Sequence, residues 1–372
     1  PESWLINEKT RAKDTRMLIE NVEEFQEAIL KELKPFETIS LGLQYTCAMD
    51  EDKKVICWGD NSEGQLGDDS LTTNPYPDLI YMEGILKDKE MKVMKTGTSH
   101  ACVVTKDNRV FCWGNGDAGK LGTGSFGSSY YPVSVRNDGV LKDKKIIDVS
   151  PGAGHTCAID IDGKTYCWGR NTTGSLGTET EIQLVPQPVE VDLSGVLKGR
   201  KIVKISSGSG HTCTVADDGG IYCWGSNDTG QLGDGNGGHS GTITELGDLS
   251  LVPVKAETGA LKFKTVSSGA SHTCALSEDG AVYCFGNNSK GQLGEGTTEM
   301  RLIPIKVDSD KVFKSVSAGF EHSCAVDDAG TAYCWGSNIT GQLGNGTKED
   351  SFTPVKVAFD EGIKIKSVSC GN

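Results

Sequence analysis

Twelve of the thirteen cysteines fall into six pairs ten residues apart: Cys47 and Cys57, Cys102 and Cys112, Cys157 and Cys167, Cys213 and Cys223, Cys274 and Cys284, Cys324 and Cys334. In five of these pairs a histidine stands two residues before the first cysteine (His100, His155, His211, His272, His322), and Tyr45 fills that place in the first. Thiols and imidazoles at such spacing could form disulfides, bind zinc or support nucleophilic catalysis. The stretch AVDDAGTAY between Cys324 and Cys334 reads as a hairpin about a DDAG turn, which sets the two cysteines directly opposite one another. Opposed residues at a non-hydrogen-bonded antiparallel site have Cα atoms roughly 4.5 to 5.5 Å apart, within disulfide reach. Structural zinc prefers ligand pairs spaced as CxxC, and each hairpin offers two thiols and one upstream histidine. Six disulfides are therefore the leading reading, with buried free thiols and metal as alternatives. Disulfides imply an extracellular, cell-surface or periplasmic location. Cys370 is left over, either free or paired outside the pattern.

Catalysis finds less support. A histidine recurring at one place in successive units is most simply a side chain bonded to a neighbouring turn. No unit adds a Ser, Asp or Cys of its own that would complete a nucleophile with its base. Neither an enzyme activity, a cofactor, a metal nor a small-molecule substrate is expected. Trp58, Trp113, Trp168, Trp224 and Trp335, with Phe285 in the remaining place, read as core. Asn-X-Ser/Thr triplets at Asn171, Asn227, Asn287, Asn338 and Asn345 would be glycan acceptors in a eukaryotic secretory setting.

The elements that carry these residues repeat as well. First cysteines are separated by 55, 55, 56, 61 and 50 residues. Each unit runs in the same order: a short alternating strand (KSVSAG), a His-Ser/Thr-Cys strand, an Asp/Gly turn, a strand such as TAYCWG, a glycine-rich phrase such as SNITGQLG, a variable loop and a Pro-Val strand. Four short strands per period predict an all-β propeller, because a lone sheet of this size exposes both faces and stacking around an axis buries them. The glycine-rich phrase matches neither GxGxxG nor GxxxxGK[ST] and opens no helix, so it is read as a turn rather than a phosphate cradle. Units begin near residues 37, 92, 146, 202, 263, 313 and 364, the seventh ending after one strand. Six blades are evident, and six or seven remain open, as does the question of whether the chain is part of something longer. Residues 1–36 stand apart: Met17, Ile19, Val22, Phe25, Ile29 and Leu33 recur at mostly three- and four-residue intervals, predicting an amphipathic helix that caps or flanks a propeller spanning 37–372.

The net charge of -14, from 37 basic and 51 acidic residues, disfavours nucleic acid as a partner. No stretch of about 20 apolar residues is present to insert into a membrane.

The order VSxGxxH[TS]CA, DGxxYCWG, NxxGQLGxG, PVxV resembles the repeat of the regulator of chromosome condensation family, over residues 37 to 372. The resemblance implies a propeller of about seven blades, in which strands from the two chain ends commonly complete one blade. It leaves function open. The founding member is a chromatin-bound guanine-nucleotide exchange factor for a small GTPase, from which this chain departs in its acidic balance and cysteine pairs. A plant member senses UV-B with tryptophans just before the shared histidine. Here those positions read Thr98-Ser99, Ala153-Gly154, Ser209-Gly210, Ala270-Ser271 and Phe320-Glu321, without tryptophan. Secreted bacterial members that grip a protein through loops on one face offer the nearest analogy. The leading expectation is thus a non-enzymatic, secreted or surface-exposed propeller that binds a protein, with GTPase regulation as the alternative. Contacts would come from residues that differ between blades: Gln44, Tyr45, Phe126, Tyr130, Tyr131, Phe320 and Glu321.

Overall fold

The computed structural model describes residues 34–180, 182–237, 248–360 and 362–371. Six antiparallel four-stranded sheets follow one another along the chain, at 36–79, 91–134, 146–190, 202–255, 263–306 and 313–356. They are the blades of an all-β propeller and are numbered 1 to 6 here. The sixth is representative, with Phe313–Ala318 innermost, then His322–Asp327, Ala332–Gly336 and the outer Ser351–Lys356. The helix expected within residues 1–36 lies outside the described residues. Among those described, helical structure is confined to two three-residue turns, Gly84–Leu86 and Asp117–Gly119.

Local sequence explains each strand's place. The His-Thr-Cys strand of blade 3, His155–Asp160, is buried at all six positions, as a strand must be when neighbours cover both sheet faces. Every outer strand carries proline: Pro77, Pro132, Pro186, Pro253, Pro304 and Pro354. A missing N–H there costs no ladder bond and blunts the exposed edge against further pairing.

The hairpin reading of the cysteines holds. Cys324 pairs with Cys334 in register, as do the other five pairs, at Cα separations of 4.0 to 4.1 Å. All six are disulfides, and Cys370 is free.

The recurring histidines, tryptophans and glycine-rich phrases form one device that joins each blade to the next. The Trp168 indole of blade 3 donates to the Lys120 carbonyl of blade 2 at 2.9 Å, and the Thr156 hydroxyl donates to the same oxygen at 2.8 Å. That hydroxyl also accepts from Nε2 of His100 in blade 2, at 2.8 Å. The histidine–hydroxyl pair recurs as His155 with Thr212, His211 with Thr273 and His272 with Ser323, at 2.8 to 2.9 Å. Trp113, Trp224 and Trp335 likewise reach carbonyls of the preceding blade. Leu66, Leu121, Leu176, Leu232 and Leu293 fill the space beneath, in the clusters that join successive blades. Close approach makes the neighbouring glycine necessary: at Gly294 (φ +71°) a Cβ would lie 2.7 Å from Trp335 Nε1.

The blade 1–2 junction departs from this scheme at both partners. Ala101 replaces the hydroxyl residue, and Tyr45 replaces histidine and sends its own hydroxyl to the carbonyls of His100 (2.6 Å) and Gly97 (3.0 Å).

A second set of bonds rings the axis. Ser40, Ser150, Ser206, Ser267 and Ser317 each accept, through Oγ, the backbone N–H of Thr96, Ser207, Ser268, Ala318 and Cys370 on the next inner strand. Ser369 accepts from Leu41 at 3.3 Å, which closes the ring. The step between blades 2 and 3 is absent at both ends, since Lys95 holds the serine place and Pro151 has no N–H.

The ring therefore has seven stations for six blades. Among the described residues, 365–371 alone occupy the seventh, as a segment that belongs to no sheet and accepts from Phe320 N–H at Gly371 O, 3.2 Å. Beside it the joining device stops. Trp58 of blade 1 is only half buried, whereas Trp113, Trp168, Trp224 and Trp335 have no exposure. A Cβ on Gly344 would meet Val357 alone, where the equivalent Gly294 abuts an indole.

If Tyr45 and Ala101 are one compensated change, a double-mutant cycle should show it. Tyr45→His alone should cost on the order of 1–3 kcal/mol by stranding buried polar groups. Adding Ala101→Thr should recover at least about 1 kcal/mol of coupling, measured by urea unfolding, whereas additive costs would show the two sites to be independent.

Candidate protein-binding face

The turn after each inner strand and the glycine-rich loop meet at the same end of the propeller. Backbone bonds fasten one to the other: Asp60 N–H to Gln44 O, Asn115 N–H to Ser99 O, Arg170 N–H to Gly154 O and Ser337 N–H to Glu321 O, all 2.8 to 2.9 Å. Inside the loops an asparagine side chain accepts the leucine N–H five residues on, as Asn171 does from Leu176 at 3.1 Å and Asn338 from Leu343 at 3.0 Å. These bonds hold the loops as rigid platforms. They also correct the glycan reading at three of five triplets, because Asn171, Asn227 and Asn338 are buried with their amides bonded. Asn287 and Asn345 remain partly exposed.

Phe320 and Glu321 occupy this face on blade 6, and Gln44 on blade 1, on the two sides of the seventh station. Phe320 is 54% exposed, and Gln44 is exposed with a left-handed φ of 61°. Tyr45, expected in the same exposed turn, is instead 3% exposed, because its ring fills the histidine slot. Phe126 stands free in the blade 2 loop at 51% exposure. Tyr130 and Tyr131 lie on the outer strand, away from the axis. Tyr130 lies over Gly64, where a Cβ would come within 2.6 Å of its ring. Tyr131 packs against Tyr81, with ring centroids 6.1 Å apart. Both tyrosines thus help join blades 1 and 2 at the rim.

Two residues that sequence reasoning passed over belong to the face. Ile339 is 65% exposed in the blade 6 loop, and its equivalents Ser62, Asp117, Thr172, Asp228 and Ser289 are all polar. Comparison within the repeat carries that signal. Lys120 stands where four other units have glutamine, yet it is buried, its Nζ 3.1 Å from Ser99 Oγ. Burial lowers its pKa to about 8, and nearby Asp117 and Glu63 only partly oppose the effect.

The shared histidines are electrically silent. Burial holds His155 to about 4 and His211 and His272 to about 3, and it holds His100 well below the usual range. Nε2 donates to the next blade's hydroxyl, while Nδ1 of His100, His211 and His272 has no partner, so a second proton would be buried without an acceptor. At the axis a cavity of about 290 Å³ is lined by serine and threonine hydroxyls, with Asp148 between Lys95 and Lys204. Desolvation raises the Asp148 carboxyl and the lysines pull it back.

The family is decided by sequence similarity that extends over most of the molecule. A model of the RCC1-like domain matches residues 134–372, and the regulator of chromosome condensation (RCC1) repeat matches residues 107–159 and 36–65. The chain belongs to the RCC1-like domain family. It is 33% identical over 276 residues to the ultraviolet-B receptor UVR8 of Arabidopsis thaliana, covering 73% of this chain and 58% of that protein. It is 33% identical over 260 residues to the human probable E3 ubiquitin-protein ligase HERC6, covering 68% of this chain and 24% of that one. The chain therefore spans less than two thirds of these relatives. Among solved structures, Prp20p of Saccharomyces cerevisiae, described with its binding properties to Gsp1p and histones, superposes with a TM-score of 0.77 at 25% identity, over 90% of this chain and 80% of that one. Human WBSCR16 shares the fold, with a TM-score of 0.77 at 21% identity over 91% and 85% of the two chains.

Two pH effects follow for this RCC1-like propeller. Lys120 titrates near 8 when folded and 10.5 when unfolded, so its buried charge opposes folding below about pH 8, and the penalty fades as pH rises toward 10.5. Lys120→Gln should therefore stabilise the protein by about 1–3 kcal/mol at pH 7 and by much less at pH 10, measured by urea midpoints. The histidines, with folded pKa values below the ordinary 6.5, contribute stability that is complete above 6.5 and lost as pH falls toward their folded values. By pH 5 the loss should be about 2 kcal/mol for each. His272→Gln should flatten the pH dependence of stability by about one proton.

Proposed function

We propose that this RCC1-like propeller is a non-enzymatic scaffold that binds a protein through the loop face, in an oxidising compartment. The observation that carries the reading is the pairing of Phe320 and Ile339. Two large apolar side chains, 54% and 65% exposed, stand on rigid loops that a 2.8 Å bond between Ser337 N–H and Glu321 O ties together. Apolar anchors on a preorganised surface are what protein interfaces concentrate at their centres. His100, His155, His211 and His272, with Trp113, Trp168, Trp224 and Trp335, support the same reading by exclusion, being committed to the joints between blades. The six disulfides support the oxidising compartment.

A second reading, regulation of a small GTPase inside a cell, rests on the likeness to Prp20p, whose description names Gsp1p. Thiol counting on protein taken from its native source separates the two: one free thiol favours the first, and thirteen favour the second.

Cross-linking in the native extracellular or periplasmic fraction should recover a protein partner whose yield falls at least about tenfold for Phe320→Ala/Ile339→Ala, the loss of one or two interface anchors. Ile161→Ala, an exposed residue on the opposite face, should leave the yield unchanged. The reverse pattern would move the interface to the other end.

A further inference from the structure

We propose that His322, Cys324, Cys334 and Cys370 form a redox-gated site for a thiophilic divalent metal such as Zn²⁺, which becomes available when the Cys324–Cys334 disulfide is reduced.

Three features single out this one place among six copies of the same hairpin. The first is a third sulfur. Cys370 stands where the equivalent inner-strand residues are Thr96, Pro151, Ser207, Ser268 and Ala318, so no other hairpin has a thiol beside it. The second is an idle imidazole. Four histidines give Nε2 to a hydroxyl on the following blade, but among the described residues the seventh station has no second strand and His322 has no side-chain hydrogen bond. The third is access. Cys324 and Cys334 are 6% and 5% exposed, while the other ten bonded cysteines are at 0 to 1%.

The geometry fits a metal. One ligand atom from each of His322, Cys324 and Cys370 lies within 4.8 Å of the others. Tetrahedral zinc with Zn–S bonds of about 2.3 Å brings its sulfurs to about 3.8 Å from one another, so shifts of about an ångström bring these three into place, and Cys334, whose sulfur lies outside that group while it is bonded to Cys324, must turn in after reduction to supply the fourth ligand. Gly319 leaves the room, since a Cβ there would sit 2.7 Å from His322 Cε1 and 2.9 Å from Cys370 Cβ. While the disulfide is closed, only the Cys370 thiol and the His322 imidazole are available, too few for a structural site. A dithiol reductant passes two electrons and two protons to Cys324–Cys334 and leaves as its own disulfide. Cys324, Cys334 and Cys370 then lose three protons to solvent as the metal binds them with neutral His322, giving a Cys₃His set.

Cobalt(II) serves as the optical probe and Zn²⁺ as the competitor. Full-length protein reduced at Cys324–Cys334, with the other five disulfides verified closed by mass mapping, should bind one Co²⁺ with thiolate-to-metal absorption that Zn²⁺ abolishes. Fully oxidised protein should show none. Cys370→Ser should fold normally, since serine and alanine hold that place in other blades, and should weaken binding by at least the roughly 10- to 100-fold that losing an outer-shell partner costs a metal site. Cys334→Ser provides an arm that does not depend on selective reduction, as it frees Cys324 beside Cys370 and should also take up one Co²⁺ with thiolate absorption. Uptake that survives Cys370→Ser unchanged, that scales with the number of opened disulfides, or that is missing from both the reduced protein and Cys334→Ser overturns the proposal.

Discussion

Each joint of the propeller turns on one carbonyl. The oxygen at the third position from the end of the glycine-rich phrase accepts an indole N–H, a hydroxyl or both from the next blade, and a histidine of its own blade holds that hydroxyl in place. At Lys120, Ser175 and Gln292 both donors converge on the same atom. Because the acceptor is backbone, the side chain at that position is free to vary, which is how glutamine, serine and lysine share it. The donors are not free. A tryptophan without its carbonyl, or a histidine without its hydroxyl, leaves a buried polar group unpaired.

This constraint separates what the molecule uses for assembly from what it has left for other work. Residues that look most like chemistry in the sequence, the thiols and imidazoles in register, are consumed in holding the blades. Residues that differ from blade to blade, Phe320, Ile339 and Phe126 among them, face solvent on loops that the same bonds make rigid. Lys120 is an intermediate case: its carbonyl serves the joint while its buried ammonium has the lowered pKa that a glutamine would avoid. Where the series of joints ends, at the seventh station, the committed groups are released, and Trp58, His322 and the Cys324–Cys334 disulfide become partly accessible together.

Much of this was legible from spacing alone. The ten-residue interval fixed the cysteines opposite one another, and the four-strand period fixed the blade. Tyr45 shows the limit of such reading. Its departure from histidine looked like a blade-specific contact residue, yet it is an internal substitution matched by Ala101 on the neighbouring blade. The partner of a joint lies about 55 residues away and cannot be read from the unit in which the departure occurs. Asn171, Asn227 and Asn338 mislead for a related reason, because a triplet that invites a glycan in an open loop here pins that loop from within.

The sequence by itself determined the class of fold, the repeat register and the disulfide pairing, because these depend on separations within a unit or on comparing units position by position. Only the tertiary structure decided that six blades occupy a seven-station ring, that Tyr45 is interior, that Lys120 is buried, and that Cys370 lies beside His322 and Cys324. Those are contacts between units, set by the angle at which one blade packs on the next, and an angle of that kind leaves no trace in the spacing of residues along a chain.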